Sequence, residues 1–238
     1  MSLADHRSTL APHGFLRVAI NLGNPVLAQG DARSPRGPSL ELATALAQRM
    51  GVQARFTCHD AAASVVAAAG EDGWDLAFLA IDPARIDRVA ISAPYVEIEG
   101  TYLVREDSPA QQVADLDREG LRIAVGRGAA YDLFLSRELR NATIERAETS
   151  AAAITLLDQQ RLDAAAGVRQ PLVAWAQAHP GHRVLADRFT AIQQAVAAPA
   201  SRPADALRAL FDEVEAIKTG PLLGEAFARA GQAVTLVR

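Results

Sequence analysis

Strand-length apolar runs alternate with helix-length amphipathic segments along most of this 238-residue chain, and that alternation limits the fold more than any other feature. Residues 16–21 read as a first strand, and Gly23-Asn24-Pro25 turns out of it into a loop that lasts to Pro38. A helix is predicted over residues 39–50, with Leu42, Leu46 and Met50 on one stripe and Gly51 as its C-terminal cap. Residues 52–58 form the next strand, Asp60 is expected to cap a small helix over 61–69, and residues 70–73 turn the chain back. Leu76 to Ile81 is a run short and bulky enough for a buried strand, followed by a shorter one over 89–92. Such a β-α-β-α-β order implies a mostly parallel sheet, because parallel neighbours need a crossover.

The long strand-like stretch 96–109 ends in a polar turn, and a second α/β series follows. Its strands are expected over 121–125, 143–146 and 162–166, and its helices over 130–139, 150–159 and 170–178. Another strand over 191–197 leads to two closing helices, 203–218 and 221–230.

Composition narrows the functional classes. Half the residues are hydrophobic and 22% charged, the balance of a globular protein with ample core. A net charge of −4 leaves no basic footprint for nucleic acid. Cys58 stands alone, so an internal disulfide and a cysteine zinc site are both excluded. No run reaches the roughly 18 apolar residues of a membrane span. The first residues lack the apolar core of a signal peptide, so either an export signal has been removed and the protein is periplasmic, or it is cytoplasmic.

Three stretches carry chemistry. Asp82-Pro83 is a helix-start signal at the end of a buried strand, and Arg85 sits one turn in, where open α/β sheets place their ligands. Gly126-Arg127-Gly128-Ala129-Ala130-Tyr131 joins a strand to a helix, whose free N–H groups favour an anion. With Glu145 a strand further on, this loop also fits a dinucleotide fingerprint, but Tyr131 stands where helix packing needs a small residue. Arg169 adds positive charge after the strand that ends at Ala166. Cys58-His59-Asp60 holds the residue types of a catalytic triad, yet consecutive strand residues point to alternate sides and cannot converge. His6, His13, His179 and His182 lie in a tail or polar turns without metal spacing.

The order strand, capped turn, arginine, strand, Pro94-Tyr95 resembles the family 3 solute-binding proteins, the polar-amino-acid receptors of bacterial uptake systems. Residues 37–43, 102–109, 122–128 and 160–165 match further segments of that family, and the segment order agrees from about Phe15 to Gly231. The resemblance implies a two-lobed α/β fold of the periplasmic-binding-protein type, each lobe a mostly parallel sheet flanked by helices. Lobe one would be residues 1–102 plus 196–238 and lobe two 103–195, joined by two hinge strands around a ligand cleft. It gives Arg85 the ligand's carboxylate, with backbone donors at Gly128, Ala129 and Ala130. The further candidate contacts are Asp82, Ala80, Asn24, Arg127, Arg169 and Gln193.

The sequence also departs from that family. Val168 stands near the place of its ammonium-binding aspartate, Gly23 and Ala61 replace its aromatic rings, and Leu79, Ala80 and Ile81 lack its hydroxyls. The expected function is therefore capture of a small anionic, carboxylate-bearing solute for an ABC transporter permease, by a monomer without cofactor or metal. Two alternatives share the fold: a dehydratase acting on a prephenate-like carboxylate, and a ligand-sensing regulatory domain. The first needs a general acid or base, and no His or Glu is expected at a strand end beside Arg85, Arg127 or Arg169.

Overall fold

The computed structural model of the protein describes residues 2–69 and 73–238, so positions 70–72 of the predicted turn lie outside the described residues. The chain divides into two compact units, Met1–Glu97 with Gln193–Arg238, and Ile98–Ile192.

The first unit opens on a 3-10 turn, Leu3–His6, and a short helix α1, Arg7–Leu10. This corrects the tail expected around His6: Leu3, His6, Leu10 and Ala11 are all buried, because the segment's apolar side chains pack onto the unit's helices. Strand β1 (Phe15–Asn21) leads to α2 (Pro38–Met50), which has Pro38 at its first position and ends at Gly51, whose φ of 71° is the left-handed cap glycine tolerates. Strand β2 (Gln53–His59) follows, then α3 (Ala62–Ala68). Asp60 does not cap α3 as expected; the N-cap is Ala61, in extended backbone and without a side-chain bond. Strand β3 (Leu76–Ala80) is buried at every position, and β4 (Val89–Ile91) comes after a 3-10 turn.

β1 runs parallel to β2, Phe15 opposite Gln53, and to β3, Val18 opposite Leu76. One face of this sheet closes over α3, with Ala19, Ala77 and Leu79 packed around Val65 and Trp74.

Strand β5 (Val96–Arg105) carries the chain into the second unit. There β6 (Arg122–Gly126), α4 (Ala130–Glu138), β7 (Thr143–Ala147), α5 (Ser150–Gln159), β8 (Ala164–Val168), α6 (Arg169–Ala178) and β9 (His182–Val184) continue the alternation. β6 pairs in parallel with β7 and β8, while β8 and β9 run antiparallel to β5. β8 starts two residues later than expected, because the Leu162 amide donates back to the Leu157 carbonyl and finishes α5 instead.

Strand β10 (Thr190–Pro199) returns the chain and pairs antiparallel with β3 and β4. α7 (Ala204–Lys218) follows, burying Ala206, Leu210, Val214 and Ile217 at helical spacing. α8 (Leu222–Arg229) and β11 (Thr235–Leu236) close the first unit, with β11 antiparallel to the start of β5.

A buried carboxylate ties three remote segments of the first unit together. Asp75 accepts from the Arg17 backbone at 3.0 Å, from its guanidinium at 3.0 and 2.8 Å, and from Arg202 at 2.7 Å. Among the described residues no helix is long and apolar enough to cross a membrane.

Candidate functional site

In the first unit the candidate site begins where β3 ends. Asp82 accepts from the Ala84 amide at 2.9 Å and caps the turn Pro83–Arg85, so the predicted start signal produces one 3-10 turn. That turn folds Arg85 back: its Nη1 donates to the Ala80 carbonyl at 2.9 Å, and the residue is only 3% exposed. Burial pushes the guanidinium's pKa below its ordinary value, and Asp82 pushes the other way. A desolvated guanidinium with a planar fork of donors at a strand end is a partner for a planar anion. Two bulky aliphatic side chains flank the turn, Ile81 at 39% and Ile86 at 62% exposure.

β10 runs alongside. The Ile81 amide donates to the Gln193 carbonyl and the Tyr95 amide to the Gln194 carbonyl, both at 2.9 Å. Gln194 lies directly opposite Ala80 and is buried, whereas the side chain of Gln193, the residue expected at the site, is exposed. A strand shows alternate residues to opposite faces, and the core-facing set here is Ala197 with Ala77 and Leu79, which leaves Gln194 on the other face. Anchoring the period on that alanine pattern is the signal that singles out Gln194.

Asn24 is buried in the first loop, where Oδ1 accepts from the Val26 amide at 3.3 Å and its carbonyl accepts from Leu27 and Ala28. It shapes the turn after β1. Ala80 is buried and contributes its carbonyl rather than a side-chain group.

In the second unit the Gly126–Tyr131 loop forms around Asp132. The Gly128 amide donates to Asp132 Oδ2 at 2.8 Å, and the Ala129 amide to the Gly126 carbonyl at 3.1 Å. Asp132 is buried and held by Arg146 Nε at 2.9 Å. A carboxylate of the protein's own thus occupies the helix start, and of the three expected donors Ala130 is the one at the first helical position. Gly126 has no room even for a Cβ, which would lie 2.8 Å from the Ser150 amide nitrogen and 2.9 Å from the Tyr131 hydroxyl, itself donating to Ser150 Oγ at 2.8 Å; protein atoms fill the place where a dinucleotide loop leaves space for a pyrophosphate.

The two remaining arginines differ. Arg127 is exposed and pairs with Glu148 at 3.5 Å. Arg169 binds Glu99 and the carbonyls of Leu185, Ala186 and Asp187 at 2.9 to 3.0 Å, pinning the segment before β10. Val168 is buried opposite Gly100.

Burial pushes the Cys58 thiol above its ordinary value, with Asp31 and Asp60 adding to it, which is the wrong direction for a nucleophile. Burial likewise pushes His59 down, against Asp60. Among the described residues no cluster of His, Cys, Asp or Glu could hold a metal ion.

The alternating α/β series and the antiparallel strands that join them are those of the two-lobed periplasmic-binding-protein fold. The profile of the bacterial extracellular solute-binding proteins, family 3, matches residues 16–217, and the chain belongs to that family. Solved structures share its fold. The solute receptor for L-cysteine of Neisseria gonorrhoeae is 22% identical, with a TM-score of 0.80 over 97% of this chain and 93% of that one. An amino acid ABC transporter substrate-binding protein from Streptococcus pneumoniae, bound to L-arginine, is 17% identical, with a TM-score of 0.78 over 100% of both chains. An ancestral amino acid-binding protein, a precursor of cyclohexadienyl dehydratase, is 22% identical, with a TM-score of 0.77 over 96% of this chain and 99% of that one. Comparison with curated protein sequences gave no match.

Proposed function

We propose that this solute-binding protein captures a small carboxylate-bearing anion outside the cytoplasm and delivers it to an ABC-type transporter, without chemistry. The observation that carries the reading is Arg85, a guanidinium 3% exposed on a capped turn at the end of a buried strand. Asp82 and Ala80 hold that guanidinium, and Asn24 shapes the neighbouring loop. In the second unit the proposed contacts are the Ala130 amide and Arg127, while Gly128, Ala129 and Arg169 support them from within. Val168 offers an ammonium no counter-charge, which favours an acid without an amine.

A second reading, an amino acid, is favoured by the L-cysteine and L-arginine receptors among the structural neighbours. Native mass spectrometry of the purified protein, followed by calorimetry with matched acids and amino acids, separates the two. Arg85→Ala is expected to weaken carboxylate binding by about 2–5 kcal/mol, since it removes the partner of a desolvated charge. Unchanged affinity with the fold intact removes Arg85 from the site. Preference for amino acids over every matched acid selects the second reading.

A further inference from the structure

Resting on Arg85 as the carboxylate's partner, we propose that Gln194 is a specificity-determining residue that reads a neutral oxygen substituent, a hydroxyl or a carbonyl, beside the solute's carboxylate.

Gln194 pairs across the antiparallel β10–β3 ladder with Ala80, the residue whose carbonyl accepts from Arg85 Nη1. Directly opposed residues hold their Cβ atoms about 5 Å apart on one face of a sheet. The Gln194 side chain therefore leaves the sheet on the same face as that of Ala80, the residue whose carbonyl anchors the guanidinium. The next pair on the same face is Val196 with Phe78, both apolar and buried, and Phe78 meets the Tyr95 ring edge-on at 6.3 Å. A glutamine here interrupts an apolar face.

The residue is 5% exposed, and among the described residues its side-chain amide has no hydrogen-bond partner, while its backbone carbonyl takes the Tyr95 amide. The amide is not among the enclosed polar atoms, so it opens outward and a group supplied from outside the chain can reach it. An amide carries one acceptor and two donors and no charge. It pairs with a hydroxyl through either end and with a carbonyl through its NH2 group, but it cannot neutralise an ammonium. The ligand class that satisfies Arg85 and Gln194 together is a hydroxy or oxo carboxylate.

The test uses the full chain and three series of acids sharing a carbon skeleton: propionate, lactate, pyruvate and L-alanine; isovalerate, 2-hydroxyisovalerate, 2-oxoisovalerate and L-valine; succinate, malate, oxaloacetate and L-aspartate. Calorimetry on the wild type should show, in at least one series, the hydroxy or oxo acid binding about tenfold tighter than the plain and amino acids. Gln194→Leu should bring that acid to the plain acid's affinity and leave the plain acid within about threefold. Gln194→Asn, which retracts the amide by one methylene, should lose the preference too and serves if the leucine variant fails to fold. Binding of no acid, a preference for the amino acid, or equal weakening of a whole series by Gln194→Leu overturns the proposal. Arg85→Gln is run in parallel: if it weakens every acid while Gln194→Leu changes no ratio, the carboxylate reading stands and this one falls. If Arg85→Gln weakens none, the underlying reading falls.

Discussion

At the scale of single residues, a few buried polar groups stand out. Asp75 has no exposed side-chain surface and faces Arg17 and Arg202, so removing it leaves two guanidinium groups without their shared anion. Asp75→Ala is expected to lower stability by about 3–5 kcal/mol in urea denaturation, and a loss under 1 kcal/mol would show that water replaces the carboxylate. Gly126 is fixed by backbone: its absent Cβ would lie 2.8 Å from the Ser150 nitrogen, which cannot swing aside. Gly126→Ala should cost about 1–3 kcal/mol, read as a lower melting temperature. The turn that buries Arg85 was legible from residue order, because Asp82-Pro83 announces it. That Gln194 rather than Gln193 is the buried residue was not, since two adjacent glutamines on a strand differ only by face, and the face depends on how β10 aligns with β3.

At the scale of elements, the strand and helix order was readable because each segment's apolar period matches its own geometry. The differences sit at ends, where one hydrogen bond decides. Asp60 looked like a cap, but Ala61 occupies that place; the Leu162 amide finishes α5 before β8 begins. The N-terminal segment read as a tail because Leu3 and Leu10 are too few for a periodic signal, yet both are buried. A third local device governs the approach to β7. Asp117 accepts from the amides of Arg140, Asn141 and Ala142 at 2.8 to 3.1 Å. Desolvation raises its pKa, but these amides and the Arg140 charge outweigh it and hold the carboxyl below its ordinary 3.8. With the folded pKa depressed, the stabilisation is complete above the unfolded value and is lost as pH falls through the folded one. Asp117→Asn should therefore destabilise by about 1 kcal/mol at pH 6, a modest figure because the group is only partly buried and solvent screens it. The gap to wild type should close well below pH 3.8 in urea titrations; a constant gap would mean that charge plays no part.

At the scale of the whole molecule, the chain divides into two compact units whose crossing points fall inside β5 and β10, where no turn residue marks them in the sequence. Native-state hydrogen exchange should resolve two cooperative groups of amides that change membership between Glu97 and Ile98 and between Ile192 and Gln193. One group spanning all residues would show that the units do not open separately.

The path of the chain also sets an order of events during synthesis. Residues 98–192 are contiguous, so their sheet can complete as soon as they leave the ribosome. The first unit has to wait, because β3 takes its antiparallel neighbour from β10 and Asp75 its second arginine from position 202, 127 residues later. Until then β3, apolar at every position, keeps an unpaired edge. Unpaired apolar edges attract other chains, so the interval between synthesis of Ala80 and of Gln194 is when the nascent protein most needs a chaperone.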